Sequence, residues 1–553
     1  MRATSHQIIQ NRIGIVLILL ALAFGFFTRV IAVFQYVTFD IGPDPDQIRD
    51  AFTVMEIWQG DFPTLGPKAY GAGLGGFHIL PLYYYLFFPF TLIGRIPALQ
   101  AFPNALFSFL SIPLFILLIY RLLEGVSAAK RLCLSSLSGL WYSFLFNHIF
   151  ISNFQWNPSS IPFFFMGFTL FYDLQMRHLF NWKVQTLAWI GSGLCVAILM
   201  SLHATTLFII PVIYVIASLR FIFKVLKEKI HKKDIRQLAL PGLGWLAAAV
   251  ALTPYWAGEL GRNFSNSKAI LKTLNSATGK SESNVLISIF TRLGDASLHA
   301  LDTVRQAYFW SDSAFYLIIS AIAIALITSA ALFSFKGNSD IWFLWLTTWG
   351  LFLLAATSLE PGETVLYYKI LVSIAPIALT VVAIAYVRLS GKTAIAYGCA
   401  IALFILLSSA NNLYRDAQFM AAKYGPNRLL NTQEIVQIMQ QLPAGSKICD
   451  PRIERKRSSF NQYNYIDTYL TQRNIETLSN CQTGNYIIHS KRVLAIAGNF
   501  LNTKNYQDPY MLKEATPPTL ELWPILKTVK NEDIARPAIP ILEIQTAYLY
   551  RLP

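Results

Sequence analysis

The chain is dominated by apolar runs, each long enough to cross a bilayer. A membrane-spanning helix needs about 20 mostly apolar residues, because each residue adds about 1.5 Å to a hydrocarbon core of about 30 Å. About eleven runs meet this need: 13–36, 102–120, 132–150, 158–175, 184–201, 204–222, 238–257, 313–335, 341–358, 364–387 and 393–411. The first run is too long for the core of a cleavable signal peptide. The sequence therefore predicts an all-α polytopic membrane bundle of about eleven helices.

Composition supports lipid as the solvent and argues against nucleic acid as a partner. Hydrophobic residues make up 54% of the chain and charged residues 14%, whereas soluble domains carry about 25% charged residues. The mean hydropathy is +0.45. The net charge of +15 lies largely in short loops between apolar runs, which is the distribution that sets membrane orientation.

Basic residues in the short loops predict which side of the membrane each segment faces. Seven lysines and arginines lie in 220–237 alone. With eleven spans and a cytoplasmic N-terminus, this loop and the other basic loops fall inside, as the positive-inside rule requires. The run 79–94 is the doubtful one, because a twelfth span there would place all of these loops outside. We predict an outer juxtamembrane helix at 79–94 with Tyr83, Tyr84 and Tyr85 in the interface; a short twelfth span is the alternative.

This topology divides the chain into two parts. Residues 1–411 form the membrane domain, with outer loops at 37–101 and 258–312. Residues 412–553 form a small α/β or α+β soluble domain on the outer side. We expect the membrane to be a bacterial plasma (inner) membrane.

Local patterns in the tail predict mixed helix and strand. Asn431 and Glu434 form the ends of a capping box before an apolar helix, and 447–450, 485–490 and 541–552 have strand character. Cys449 and Cys481 are the tail's two cysteines, so an oxidising compartment would favour a disulfide between them.

The first outer loop contains an unusual acidic cluster directly after the first span. It comprises Asp40, Asp44, Asp46 and Asp50, with Arg49 among them. Pro45 permits a helix to begin at Asp46, and the i, i+3, i+4 spacing then places Asp46, Arg49 and Asp50 on one face. A carboxylate paired with an arginine stays ionised and can accept a proton. The alternative is an acidic first turn that only stabilises a helix N-terminus.

The order of short motifs resembles the bacterial GT-C glycosyltransferases, which include relatives of the protein O-mannosyltransferases and of the lipid A aminoarabinose transferase. In the first outer loop the motifs are Asp46-Gln-x-Arg49-Asp50, Gly60-Asp-Phe-Pro63, Gly66-Pro67, a glycine-rich stretch and His78-x-x-Pro81-Leu-Tyr-Tyr-Tyr85. Further along they are Phe154-Gln-Trp-Asn157-Pro158, Ser201-Leu-His203-Ala-Thr205, Glu259-Leu-Gly-Arg262 and Tyr367-Tyr368-Lys369. The resemblance covers roughly residues 10–390 and leaves out the tail.

The resemblance implies a transferase that moves a sugar from a polyprenyl-phosphate carrier to an acceptor lipid, glycan or protein at the outer face. The family's catalytic carboxylate is the first member of an Asp-Glu pair, which maps to Asp46; Asp44 and Asp50 are the other candidates. The second member is Gln47 here. A neutral amide is a poorer ligand for a hard cation than a carboxylate, so the Asp-Gln pair does not support a divalent cation, and no cofactor is assigned.

The departing phosphate needs fixed cations and hydrogen-bond donors. The candidates at outer membrane ends are Arg49, Lys68, His78, His203, Arg262, Tyr367, Tyr368 and Lys369. Several have simpler interpretations: Lys68 and Arg262 as solvated loop residues, His78 as an anchor of the juxtamembrane helix, and His203 as a helix cap. Lys369 is more informative, because a lysine inside an apolar run is costly in lipid.

Two other functions remain open from the sequence. A transporter or flippase of lipid-linked sugars would favour charges near the midplane and paired broken helices, whereas the charges here gather at one face. A non-catalytic scaffold that presents the tail to a partner would leave the acidic cluster unexplained.

Overall fold

The computed structural model describes most of the chain. The described residues are 5–35, 46–69, 76–179, 181–227, 232–278, 391–426, 428, 430–449, 462–478, 485–490, 492–494, 512–514, 540–544 and 547–551, with isolated positions and short runs between 294 and 351. The helices, in chain order, are α1 (Ser5–Gly25), α2 (Asp46–Glu56), α3 (Leu82–Phe87), α4 (Pro97–Leu122), α5 (Ala128–Ser143), α6 (Phe146–Ser152), α7 (Ile161–Arg177), α8 (Trp182–Leu202), α9 (Ala204–Lys227), α10 (Leu240–Ala251), α11 (Thr253–Gly261), α12 (Ser265–Thr278), α13 (Gly391–Tyr424), α14 (Thr432–Gln441) and α15 (Gln462–Ile466).

Five of the described helical segments are long and apolar enough to cross a membrane. They are Gln7–Phe34, Pro97–Leu122, Trp182–Leu202, Ala204–Lys227 and Ala396–Tyr424. The protein is therefore an integral membrane protein with a mostly helical fold. The predicted spans 313–335, 341–358 and 364–387 lie wholly or largely outside the described residues, so the count of eleven stays a prediction.

Two predicted spans are broken helices instead. The run 132–150 divides into α5 and α6, and the backbone N–H of Phe146 at the start of α6 donates to Asn412 Oδ1 on α13 at 2.9 Å. The run 238–257 divides into α10 and α11, which are bent by 62°. Pro254 lies at the start of α11, and proline cannot donate the backbone hydrogen bond that a continuous helix needs. Hydropathy is continuous across both breaks, which is why the sequence predicted single spans.

The first span ends in an irregular turn around a buried arginine. A π-helical turn, Phe26–Ile31, and a short 3₁₀ turn, Ala32–Phe34, follow α1. The Arg29 side chain is fully buried, with Nε donating to Ser108 Oγ and Nη1 to the Ser143 carbonyl, both at 3.0 Å.

The run 79–94 forms a short α3 followed by a 3₁₀ turn, Phe88–Leu92. It is an apolar helical segment that is too short to span. The prediction that all three tyrosines face the interface is wrong for two of them, since Tyr83 and Tyr84 are buried. They turn inward because α3 packs on α2, where Tyr84 finds a hydrogen-bond partner.

The C-terminal part contains a five-stranded mixed sheet in the order β4-β3-β5-β9-β8. Its strands are β3 (Lys447–Cys449), β4 (Glu476–Leu478), β5 (Tyr486–Ser490), β8 (Pro540–Glu543) and β9 (Ala547–Arg551). Strand β3 runs parallel to β4 and β5, and β9 runs antiparallel to β5 and β8. The predicted single strand 541–552 is thus a pair, β8 and β9. Strands β6 (Arg492–Leu494) and β7 (Leu512–Glu514) form a separate antiparallel pair.

In the tail, the predicted capping box is confirmed, and the predicted disulfide is confirmed for one of its two cysteines. Asn431 Oδ1 accepts from the Glu434 backbone N–H at 3.0 Å and Glu434 returns the bond at 3.1 Å, which completes the capping box of α14. Cys449 is disulfide-bonded; Cys481, its expected partner, lies outside the described residues. The outward location of this domain stays a prediction.

Candidate active site

The acidic helix of the first outer loop begins at Asp46, as predicted. Its buried face consists of apolar residues at helical spacing, among them Ile48, Ala51 and Met55. Because these apolar residues share one face, α2 packs that face against the bundle. The N-terminus of α2 lies at the end of the loop that follows the first span.

Within α2, Asp50 joins the helix to α3. Its side chain is 0% exposed. Oδ1 accepts from Arg49 Nη2 at 2.8 Å and from the Tyr84 hydroxyl at 3.1 Å. Burial, and next the negative charge of Asp50, raise the pKa of Tyr84 well above its ordinary value, so the phenol stays a hydrogen-bond donor. Asp50 is therefore an anchoring group of α2, and Arg49 lies beside it with 21% of its side chain exposed.

Lys68 and His78 are brought opposite each other by a short antiparallel pair, β1 (Lys68–Ala69) with β2 (Phe77–His78). The His78 Nδ1 lies 2.9 Å from the Gly66 carbonyl oxygen. Gly66 has no room for a side chain, because a Cβ there would lie 2.3 Å from the Leu80 carbonyl oxygen. The predicted Gly66-Pro67 motif thus permits the close approach that fixes the His78 ring.

The second outer segment holds this hairpin from the other side. Asn266 Oδ1 accepts from the His78 backbone N–H at 2.7 Å, and Asn266 Nδ2 donates to the His78 carbonyl at 3.0 Å. Asn266 is at the start of α12, 188 residues along the chain from His78. The two outer loops therefore form one structure around His78.

Arg262 is the second link between the two loops. Its Nη1 donates to Thr64 Oγ1 at 2.6 Å, and its Nη2 lies 3.2 Å from Glu259 Oε1. Glu259 Oε2 in turn accepts from both the backbone N–H and the hydroxyl of Ser267 at 2.7 Å. A Cβ at Gly258 would lie 2.4 Å from Thr64 Cβ, so glycine is needed for this contact.

The turn between α11 and α12 has an unusual backbone. Asn263 and Phe264 have φ angles of 52° and 57°, in a left-handed region that residues other than glycine seldom adopt. The Phe264 N–H donates to the Glu259 carbonyl at 2.9 Å. This turn reverses the chain so that Ser267 meets the Glu259 carboxylate.

Positively charged side chains lie near His78. Burial lowers the pKa of His78 below its ordinary value; the hydrogen bond to the Gly66 carbonyl acts the other way, and nearby positive charges lower the pKa further. Those charges belong to Lys68, Arg49 and Arg262. Four of the predicted anion-binding residues thus share one electrostatic environment, although they come from distant positions in the sequence. Such a group of cations and donors can bind a phosphate.

An apolar cluster lies beneath this group. Its buried members are Phe77, Ile79, Leu80, Ala197, Leu207, Ala248, Leu252 and Tyr255. It joins the hairpin to α8, α9, α10 and α11. The hairpin that carries Lys68 and His78 therefore packs against helices of the membrane domain rather than forming a detached loop.

The other predicted site residues are placed differently. His203 follows α8 and its Nδ1 accepts from the Thr205 backbone N–H at 3.2 Å, the local capping role that the sequence left open. Asp46 is described as the first residue of α2 only by its backbone. Asp44, Tyr367, Tyr368 and Lys369 lie outside the described residues.

Sequence reasoning did not single out the residues that hold the cations. Glu259, Asn266 and Thr64 each make contacts across the two loops. The signal for Glu259 was its place at the start of the Glu259-Leu-Gly-Arg262 motif. Asn266 and Thr64 carried no comparable signal.

The described residues include no group of three or more His, Cys, Asp and Glu side chains placed to hold a metal ion. Asp40 and Asp44 of the acidic cluster lie outside those residues. The inference on a divalent cation is therefore unchanged: the Asp46-Gln47 pair does not support one.

Among known proteins, this chain is similar to several solved structures. No family model and no curated protein matches the chain. Crystal structures of ArnT from Cupriavidus metallidurans, in the apo state and bound to undecaprenyl phosphate, match with a TM-score of 0.49, 10% identity and 97% coverage of both chains. The oligosaccharyltransferase AglB from Archaeoglobus fulgidus, in complex with an inhibitory peptide and a dolichol-phosphate, matches with a TM-score of 0.42 and 13% identity over 85% of this chain and 62% of its own.

These neighbours are GT-C glycosyltransferases, the family that the sequence motifs resemble. The similarity is distant in both identity and TM-score. The proposed function is therefore based on the residues of this chain.

Proposed function

We propose that the protein is a membrane glycosyltransferase that takes a sugar from a polyprenyl-phosphate carrier and passes it to an acceptor lipid, glycan or protein at the outer face of the bacterial inner membrane. The observation that carries the proposal is that Arg49, Lys68 and Arg262 lie near enough to His78 for their charges to lower its pKa, with Arg49 on the acidic helix α2. The sugar-carrier class comes from the motif resemblance.

The position of the four cationic and donor groups suits a lipid-linked phosphate. The hairpin that carries Lys68 and His78 packs on an apolar cluster that includes residues of α8, α9 and α10, and Arg262 directly follows α11. A phosphate on a polyprenol sits at the surface of the bilayer while its chain stays in the hydrocarbon. Groups on a hairpin that packs against the membrane helices can therefore reach the phosphate.

In the proposed reaction Asp46 is the general base. It takes the proton of the acceptor hydroxyl or amide group as the oxygen or nitrogen of that group attacks the anomeric carbon. The bond from the anomeric carbon to the phosphate oxygen breaks, and its electron pair leaves with the carrier as a phosphate monoester. A single displacement of this kind inverts the anomeric centre.

The cations stabilise the departing carrier. The leaving phosphate gains one negative charge during the step, and fixed cations in a site of low dielectric stabilise charge that develops in the transition state. Arg262 and Arg49 are partly exposed and so accessible to a ligand, while Glu259 and Asp50 hold them in place.

The carrier can be tested by mass spectrometry of lipids that copurify with the full-length protein. We expect polyprenyl phosphate, free or glycosylated, to be enriched with the unmodified protein and reduced about tenfold in Arg262→Ala, since hydrogen bonds to charged groups contribute about 1.5–3 kcal/mol. Arg236→Ala is the matched control, because Arg236 is an exposed arginine in the inner loop. Absence of polyprenyl lipids from the unmodified protein would remove the proposed donor.

A further inference from the structure

Aromatic residues of the C-terminal part of the chain pack against the acidic helix α2. The Phe52 ring of α2 packs edge-on to Tyr465, with centroids 5.4 Å apart and planes at 86°, and lies 5.8 Å from the ring of Tyr469. Tyr465 and Tyr469 also contact each other at 5.1 Å. Aromatic pairs of this geometry stabilise a contact beyond the apolar area that they bury.

Tyr465 connects α2 to two further segments. Its side chain is fully buried. The hydroxyl donates to the Arg95 carbonyl at 2.7 Å and accepts from Gln100 Nε2 at 2.5 Å. A single side chain thus joins α2, the turn before α4 and α4 itself, across more than 360 residues of sequence.

The turn that carries these tyrosines is itself well ordered. Asp467 accepts from the backbone N–H groups of Arg473 and Ile475, both at 2.9 Å, and from the Thr471 hydroxyl at 2.8 Å. These bonds fix the π-helical turn Asp467–Thr471 that follows α15. Tyr465 and Tyr469 are therefore presented from a rigid support.

The C-terminal part also holds the end of the first span. Lys423 is buried, and its Nζ donates to the Ala32 carbonyl and to Asn153 Oδ1, both at 2.9 Å. Asn431 Nδ2 donates to Gln35 Oε1 at 3.0 Å. The C-terminal part thus contacts both the end of the first span and α2.

We propose that the C-terminal part positions α2 for catalysis, with Tyr465 as the main positioning residue for Asp46. The inference rests on the proposed function. Of the four donor-site residues, only Arg49 lies on α2. Lys68, His78 and Arg262 are held by contacts within the two outer loops. Loss of the Tyr465 contacts should therefore displace the base more than the donor site, and a displacement of about 1 Å can cost about 100-fold in rate.

The test compares Tyr465→Phe and Tyr465→Ala in the full-length protein in lipid nanodiscs. The phenylalanine keeps the ring contacts and loses only the two hydrogen bonds, so it reports on positioning even if the alanine variant folds poorly. We expect kcat to fall about tenfold or more in Tyr465→Ala and less in Tyr465→Phe, with the donor KM changed less than about threefold. Tyr414→Phe is the control, since Tyr414 is an exposed tyrosine of α13.

Amide exchange of residues 46–56 gives a second readout that needs no activity. It should be about tenfold faster in Tyr465→Ala than in the unmodified protein, while α8 and α9 stay unchanged. Unchanged exchange in α2 overturns the positioning role, and so does a rise in donor KM that matches the fall in kcat. Faster exchange in a protein that transfers no sugar even when unmodified leaves the positioning contact in place and overturns the proposed function instead.

Discussion

At the scale of single residues, the site consists of groups whose types the sequence predicts and whose supports it does not. Arg49, Lys68, His78 and Arg262 were candidates because a leaving phosphate needs cations and donors. Their supports, such as Asn266 for His78, depend on contacts between segments 188 residues apart, and no local pattern encodes these. Arg29 shows the same limit, since its partners Ser108 and Ser143 lie on other helices.

His78 should give donor binding a dependence on pH. Burial and then the neighbouring cations lower its pKa, so it is neutral at pH 7 and becomes charged only as pH falls below about 6.5. The donor is a phosphodiester and keeps one charge through this range. We therefore expect donor affinity, measured by titration of a polyprenyl-phosphate sugar, to rise as pH falls from 7.5 to 5, and His78→Gln to abolish the rise.

The exposed His178 provides the control, and His178→Gln should keep the response. A His78→Gln profile that follows the unmodified protein would show that another group titrates.

The lowered pKa of His78 also makes the folding stability of the ligand-free protein depend on pH. The unfolded chain binds the proton more readily, so the contribution of His78 is present above pH 6.5 and is lost as pH falls through the lower folded pKa.

At the scale of elements, capping and amphipathic patterns were predictable and helix breaks were not. The Asn431–Glu434 capping box and the start of α2 at Asp46 follow from local sequence. The 62° bend between α10 and α11 lies in a continuous apolar run, and the hydropathy of that run gives no sign of a break. That bend directs Glu259 and Arg262 toward the first outer loop.

Substitution within α11 should test this contact with a matched pair. Gly258→Ala would place a Cβ 2.4 Å from Thr64 Cβ and 2.8 Å from Arg262 Nη1. Overpacking of this kind costs about 1–3 kcal/mol, so we expect donor affinity to fall about fivefold or more and the melting temperature to drop. Gly261→Ala, where a Cβ meets open space, should leave affinity unchanged. Equal effects of the two substitutions would contradict the role of the Thr64–Arg262 contact.

At the scale of the whole molecule, the bundle and the C-terminal sheet form one continuous structure. The large apolar core includes residues of the membrane helices together with Ile435, Tyr465 and Ile466 of the C-terminal part. The sequence predicted a separate tail domain from its polar composition. It carried no sign that the tail packs on α2, because aromatic contacts between remote segments leave no periodic pattern.

The orientation of the molecule can be tested by cysteine labelling in intact cells. In a variant in which the free cysteines 133, 195 and 399 are replaced by alanine, we expect an impermeant maleimide to label Glu476→Cys from outside. Lys227→Cys should be labelled only after permeabilisation, because the positive-inside rule predicts that the basic loop 220–237 lies inside. Labelling of Lys227→Cys in intact cells would reverse the topology and place the site on the cytoplasmic face.

The most direct test of the account is the turnover of Asp46→Asn in the full-length protein, followed as conversion of glycosylated carrier to free polyprenyl phosphate. The exposed Asp61 of the same loop supplies the control, and Asp61→Asn should remain active. General-base catalysis contributes about 10²–10⁴-fold, so we predict a loss of that size in kcat with donor binding retained. Activity in Asp46→Asn with loss in Asp44→Asn would assign the base to Asp44. Loss in Asp50→Asn would not assign the base, because the buried Asp50 carboxylate anchors α2. Normal turnover in all three variants would contradict the account, because the acidic loop would then take no part in the chemistry.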